Sequence, residues 1–197
     1  MEFLMELCRL QGKKIILASQ SPRRIELLRG VGLKFEIVPA QVDENVKDGD
    51  HIIDAARHYA REKAHHVADR HSADLIIAAD TLVVLGNEIF AKPKNRVEAG
   101  KMLRQLSGAT HSVITGLSLL TPASEILDHE ETRVTFWDIS KREIDAYLNT
   151  PEPFDKAGAY GIQGYAALFI RKIEGSYFNV MGFPLSKFYQ HLRTLFK

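Results

Sequence analysis

The sequence predicts an α/β protein built on a mixed sheet, and three observations carry that prediction. Apolar runs at Lys14–Ser19 and Leu75–Leu85 have the character of strands buried on both faces. Helical patterns alternate with strands through the first half of the chain. In the second half two long segments, His111–Leu120 and Glu125–Trp137, are split only by a Thr121-Pro122 turn and read as a hairpin. Early alternation with late strand pairing is the signature of a mixed sheet, not of a simple doubly wound one.

Each element has its local reason. Residues 14–19 (KIILAS) form the first strand, and Ser21-Pro22-Arg23-Arg24 opens a helix with Ser at the cap, Pro in the first turn and Gly30 or Gly32 at the far end. Residues 35–38 form a second strand, followed by a polar loop with Asp43 and Glu44. A helix over 52–68 carries the apolar stripe Ile53, Ala56, Ala60, Ala64 and Val67. Lys63 falls on that stripe, so it either snorkels to the edge or has an acidic partner. The strand after Asp74 ends at a Gly86-Asn87 turn. A helix spans 96–106 and stops at Ser107-Gly108. After the hairpin, Ser140 and Glu143 have capping-box spacing for a helix running to Asn149. A turn-rich stretch, PEPFDKAGAYGIQG, precedes a strand over 165–173 and a C-terminal helix after Pro184.

Composition bounds the function. A chain of 197 residues, 45% hydrophobic and 26% charged, can bury a full core as one large domain or two joined lobes. With 26 Lys and Arg against 25 Asp and Glu there is no basic field for nucleic acid or anionic membrane. The single Cys8 excludes an internal disulfide and fits a reducing compartment. No apolar run reaches membrane-spanning length. Residues 1–13 make a poor signal peptide and read as a short helical extension to a domain over 14–197, which makes a cytoplasmic location the expectation.

The chemistry centres on DLIIAADTLVVLGNE, where Asp80 is the only charge inside an apolar strand. An ionised carboxylate there is costly unless a cation compensates it. Either the strand ends at Ala79 and Asp80 meets water, or Asp80 is presented at the carboxyl end of a core strand, where open α/β sheets place ligands. The second reading is taken. The Ser-Pro-Arg-Arg junction offers a helix N-terminus and two guanidiniums suited to phosphate oxygens, although neither Gly-rich phosphate signature is present. Glu44, Lys63, Asp80, Lys92 and Lys156 could hold a divalent cation and offset polyphosphate charge. His58, Glu62 and His66 share a helix face opposite the apolar stripe and read as solvated, not as a zinc site. Gly158, Gly161 and Gly164 would let backbone approach a ligand, with Gln163 supplying a donor and an acceptor for a base edge.

These residues resemble the Maf family of nucleoside triphosphate pyrophosphatases. The likeness is carried in order by LASQSPRRIELL, VDE, AREKA, AADTLVV, AKP, LSGATHSVITG, EPFDKAGAYGIQG and GSYFNVMGFPL. It leaves out residues up to about Gly12, and Trp137 and Phe183 are mild variations within it. The resemblance implies a mixed twisted sheet in two lobes with a central cleft, similar to inosine triphosphate pyrophosphatases. It implies hydrolysis of a nucleoside triphosphate to the monophosphate and pyrophosphate with Mg²⁺ or Mn²⁺, in a homodimer. By position, Asp80 matches the proposed proton acceptor; Ser19 or Ser21, Arg23 and Arg24 match the phosphate loop; Glu44, Lys63 and Lys92 match the charged residues of the cleft. Arg23, Thr81 and Gln163 resemble the branch acting on dTTP and UTP, not the one acting on 7-methyl-GTP. Glu44 and Asp80 are then the metal ligands, and Asp80 is base, ligand or both. Two other readings stay open: a non-catalytic nucleotide-binding regulator of cell division, and a metal-dependent phosphomonoesterase.

Overall fold

The computed structural model describes residues 2–42 and 51–196. Along them run α1 (Phe3–Leu7), β1 (Ile15–Leu17), α2 (Pro22–Gly30), β2 (Glu36–Ile37), α3 (Ile52–Ala68), β3 (Leu75–Leu85) and β4 (Glu88–Phe90). Then follow α4 (Arg96–Leu106), β5 (Thr110–Leu120), β6 (Glu125–Phe136), α5 (Lys141–Tyr147), β7 (Ile170–Glu174), α6 (Tyr177–Val180) and α7 (Leu185–Leu195). Short 3-10 segments occupy Glu152–Asp155, Ala157–Ala159 and Tyr165–Phe169. The strands form an open sheet in the order β2-β1-β3-β5-β6-β7, with β4 paired to β3. β1 is parallel to β2 and β3, whereas β4 on β3 and β7 on β6 are antiparallel, which is the mixed sheet the sequence predicts.

The chain divides into two compact units. The first comprises Met1–Asp80, Thr115–Glu130 and Gly182–Lys197; the second comprises Thr81–Ile114 and Glu131–Met181. In the first unit α3 packs on the parallel strands: Ala64 and Val67 meet Ile16, Ala18, Ile76 and Ala78 in one buried cluster. Because alternate strand residues share a face, Ile76 and Ala78 point the same way as Asp80. The helix approaches closely. A Cβ on Gly116 of β5 would lie 2.1 Å from the carbonyl oxygen of Ala56, so only glycine leaves room for the α3 backbone there. The N-terminal residues belong to this unit's core: Leu4, Met5, Cys8 and Leu10 are buried, and the Leu4 amide donates to the Val31 carbonyl at 3.1 Å.

The second unit has its own apolar cluster, in which Leu103 and Leu106 of α4, Val134 and Phe136 of β6 and Ile144 and Tyr147 of α5 pack with Tyr160 and Ala166. Its α5 begins as the spacing predicts: the Ser140 hydroxyl accepts from the Glu143 amide, and Glu143 accepts from the Ser140 amide at 2.8 Å.

Three expectations need correction. Residues 165–169 form a 3-10 segment and not the first half of a strand, so β7 starts only at Ile170. β3 runs from Leu75 to Leu85 as its apolar pattern predicts, so Asp80 sits in mid-strand and not at the strand's carboxyl end; the far half pairs with β4 across a turn at Gly86, whose φ is +60°. Ser21 is the residue before α2, yet its hydroxyl makes no capping hydrogen bond.

Candidate active site

In the first unit the candidate site grows from the register of two parallel strands. Ile15, Ile16 and Leu17 face Leu75, Ile76 and Ile77, and the Ala18 amide extends the ladder to the Ile77 carbonyl at 2.8 Å. β1 then leaves the sheet into the Ser19–Arg24 turn, at the level where β3 goes on to Asp80. Asp80 therefore lies inside its own strand but beyond the end of its parallel neighbour. That is the position open α/β sheets reserve for ligands.

The turn is held by its own side chains. Ser19 is buried, and its hydroxyl accepts from the Ser21 amide at 3.2 Å and from Arg24 Nη1 at 3.2 Å. Arg24, also buried, donates through Nε to the Gly182 carbonyl at 2.8 Å, tying α2 to the segment before α7. Arg23 is half-buried beside it. The Ser-Pro-Arg-Arg junction thus runs from a braced turn into the first turn of a nine-residue helix, with the partial positive charge of that helix at its entrance.

Lys63 reaches Asp80 because of where α3 lies. One turn before Val67 on the packed face, its Nζ donates to Asp80 Oδ1 at 2.6 Å. The two side chains are 10% and 5% exposed, so the pair is almost free of water and its charges are weakly screened. Of the two alternatives for a lysine on the apolar stripe, snorkelling or an acidic partner, the structure shows the second. Asp80 Oδ2 is buried and has no hydrogen-bond partner among the described residues. A carboxylate with one oxygen clamped and the other unsatisfied can accept from a water or bind a cation.

The remaining candidates are described each in its own unit. Thr81 is half-buried and, as the next residue in β3, points to the opposite face from Asp80. Lys92 and Gln163 are exposed and belong to the second unit. Glu44 lies outside the described residues. No group of three His, Cys, Asp or Glu is placed to hold a metal among the described residues. A hard cation carried in on phosphate oxygens needs only one or two carboxylates from the protein, and Asp80 Oδ2 fits that requirement.

In the second unit the three glycines serve the chain itself. A Cβ at Gly158 would lie 2.9 Å from Val83, one at Gly161 2.7 Å from Lys156, and one at Gly164 2.0 Å from Glu152. Lys156 is not an open cation: its Nζ donates to the Glu152 carbonyl at 2.8 Å and pairs with Asp155 at 2.5 Å. The sequence reading missed His111, which is buried with Nε2 2.8 Å from Tyr160 Oη and Nδ1 without a partner among the described residues. Burial lowers its pKa to about 4. It also missed Glu152, whose only signal was an acid just ahead of a glycine-rich run.

Known proteins resemble this chain along most of its length. The family model described as Maf-like protein matches residues 14–195. A dTTP/UTP pyrophosphatase of Geobacillus sp. (strain WCH70) is 47% identical over 93% of this chain and 98% of its own. The dTTP/UTP pyrophosphatase of Aquifex aeolicus is 45% identical over 92% and 95% of the two chains, and that of Bacillus cereus 44% over 92% and 89%. Among solved structures, protein VC0702 from Vibrio cholerae covers 70% of this chain and 72% of its own at 16% identity with a TM-score of 0.35, a level that supports no inference. No helix among the described residues is long and apolar enough to cross a membrane.

Proposed function

The chain belongs to the Maf-like family, and on that premise we propose that it hydrolyses dTTP and UTP, or modified pyrimidine counterparts, to the monophosphate and pyrophosphate. The observation that carries the reading is the buried Asp80, held by Lys63 through Oδ1 at 2.6 Å and with no hydrogen-bond partner at Oδ2 among the described residues, on the strand next to the one that leads into the Arg-bearing junction. Its sequence relatives named dTTP/UTP pyrophosphatase support the substrate class.

In this account the α2 N-terminus with Arg23 and Arg24 binds the phosphate chain, and Ser19 and Ser21 shape the turn around it. Asp80 Oδ2 orients the attacking water and takes its proton, while the Lys63 ammonium holds the carboxylate in place through Oδ1. Lys63 and Lys92 offset the charge that builds on the departing pyrophosphate. Thr81 and Gln163 read the pyrimidine. A bound Mg²⁺ or Mn²⁺, with Asp80 and Glu44 as its protein ligands, would neutralise phosphate charge and polarise the α-phosphorus. The protein is cytoplasmic and a homodimer in this account, with residues 14–197 as the catalytic domain and 1–13 as an extension.

The test is product analysis with purified protein, Mg²⁺ and a panel of triphosphates in H₂¹⁸O. Pyrophosphate release, fastest from dTTP and UTP, with label in the monophosphate supports attack at the α-phosphorus. Orthophosphate released from a monophosphate points instead to a phosphomonoesterase. Nucleotide binding without turnover supports a regulator that only senses the triphosphate.

A further inference from the structure

We propose that Glu152 is the positioning residue for Gln163 and thereby sets base selectivity, an inference that rests on Gln163 being the base-reading group. Gln163 is exposed at the third position of a β-turn, Gly161–Gly164, closed by the Gly164 amide on the Gly161 carbonyl at 3.3 Å. A side chain at that position goes where the turn sends it. The residue before it, Ile162, is buried and anchors one side. The other side is anchored two residues beyond Gln163, at the start of the 3-10 segment Tyr165–Phe169.

That start has no cap of its own, since Gly164 supplies no side chain. Glu152 takes the place of one. Its Oε2 accepts from the Tyr165 amide at 2.7 Å and its Oε1 from the Ala166 amide at 3.2 Å. An anion at the exposed amides of a helical turn is held by charge-assisted hydrogen bonds, stronger than neutral ones. The carboxylate is itself fixed from behind: Tyr147 of α5, 3% exposed, donates its hydroxyl to Oε1 at 3.0 Å. The neighbouring Lys156 ammonium secures the Glu152 backbone by donating to its carbonyl at 2.8 Å. Both oxygens are therefore committed to the segment that directly follows the Gln163 turn, and Oε1 also to Tyr147 of the apolar cluster. Glycine at 164 completes the fit, because a Cβ there would fall 2.0 Å from Oε2.

Glu152→Gln keeps the size but sets an amide NH₂ against a backbone N–H donor, so one contact turns repulsive. The experiment measures kcat and KM for dTTP, UTP, dCTP and dGTP with wild type, Glu152→Gln, Gln163→Ala and the double variant, with a thermal melt of each. Glu152→Gln is expected to raise KM for dTTP more than it lowers kcat, and to compress the dTTP over dCTP ratio in kcat/KM at least about fivefold. In the Gln163→Ala background it should leave that ratio unchanged, because the two residues act as one unit. Gly164→Ala attacks the same contact from the other side at a φ of −110° that any residue adopts, so it should reproduce the effect if Glu152→Gln fails to fold. An unaltered ratio in a folded Glu152→Gln or Gly164→Ala variant, or an equal change with and without Gln163, overturns the proposal. A Gln163→Ala enzyme with wild-type selectivity removes the base-reading role itself, and the proposal falls with its premise.

Discussion

Asp80 and Lys63 show how one pair of side chains serves folding and chemistry together. Burying two charges is costly, and their mutual attraction offsets that cost only while both are present. Lys63→Met should therefore lower stability by about 3–5 kcal/mol, as expected when one partner of a buried pair is removed. The double variant Lys63→Met with Asp80→Leu should recover most of that stability and no activity, which denaturant titration and a pyrophosphate assay would separate. A double variant as unstable as the single one would mean that the pair is not the source of the loss. His111 makes a second prediction at this scale. Burial lowers its pKa from 6.5 to about 4, so between those values the unfolded chain binds a proton that the folded chain excludes. Stability from this group is complete above the unfolded value and falls as pH drops toward 4, by about 3 kcal/mol in all. Unfolding free energies at several pH values, for wild type and His111→Gln, should differ in slope across that window. Parallel slopes would assign the histidine no part in it.

At the level of elements, most boundaries follow from patterns readable in one dimension. Ile52–Ala68 and Arg96–Leu106 begin and end where apolar period and flanking residues place them, and the Ser140–Glu143 box forms as spaced. The 3-10 segment at 165–169 was not legible, because its start depends on a carboxylate 13 residues earlier along the chain. That Asp80 falls in mid-strand and not at a strand end was hidden for a similar reason: β4 pairs with the far half of β3, and pairing is a tertiary fact. Gly116 was quoted within a motif, but its reason is spatial. An added methyl there meets the α3 backbone at Ala56 and Arg57, which cannot rotate away. Gly116→Ala should cost about 3 kcal/mol or more, at or above the upper range for overpacking, and should weaken turnover by moving Lys63 relative to Asp80. Equal activity and melting temperature in that variant would show that α3 has slack.

For the molecule as a whole, the mixed sheet and the family resemblance were both available from sequence, while the division of labour between residues was not. Arg24 and Ser19 resemble plain phosphate-binding groups on paper; in the folded chain they also brace each other and Gly182. Asp80 was identified by its isolation in an apolar strand, but its unsatisfied Oδ2 emerges only when Lys63 is seen to occupy Oδ1. The second unit's glycines, read as ligand-facing, are filled by Glu152, Lys156 and Val83. Sequence locates such chemistry by residue type, and only the packed chain shows which donors are already spent. The proposed hydrolysis turns on Asp80 acting through that remaining oxygen. The most direct measurement is the rate of pyrophosphate release from dTTP by Asp80→Asn, taken well below its melting temperature beside wild type. Loss of at least about 10²-fold is predicted, the contribution typical of a positioned general base; a folded Asp80→Asn enzyme within about twofold of the wild-type rate, a change of less than about 0.5 kcal/mol in barrier, would contradict it.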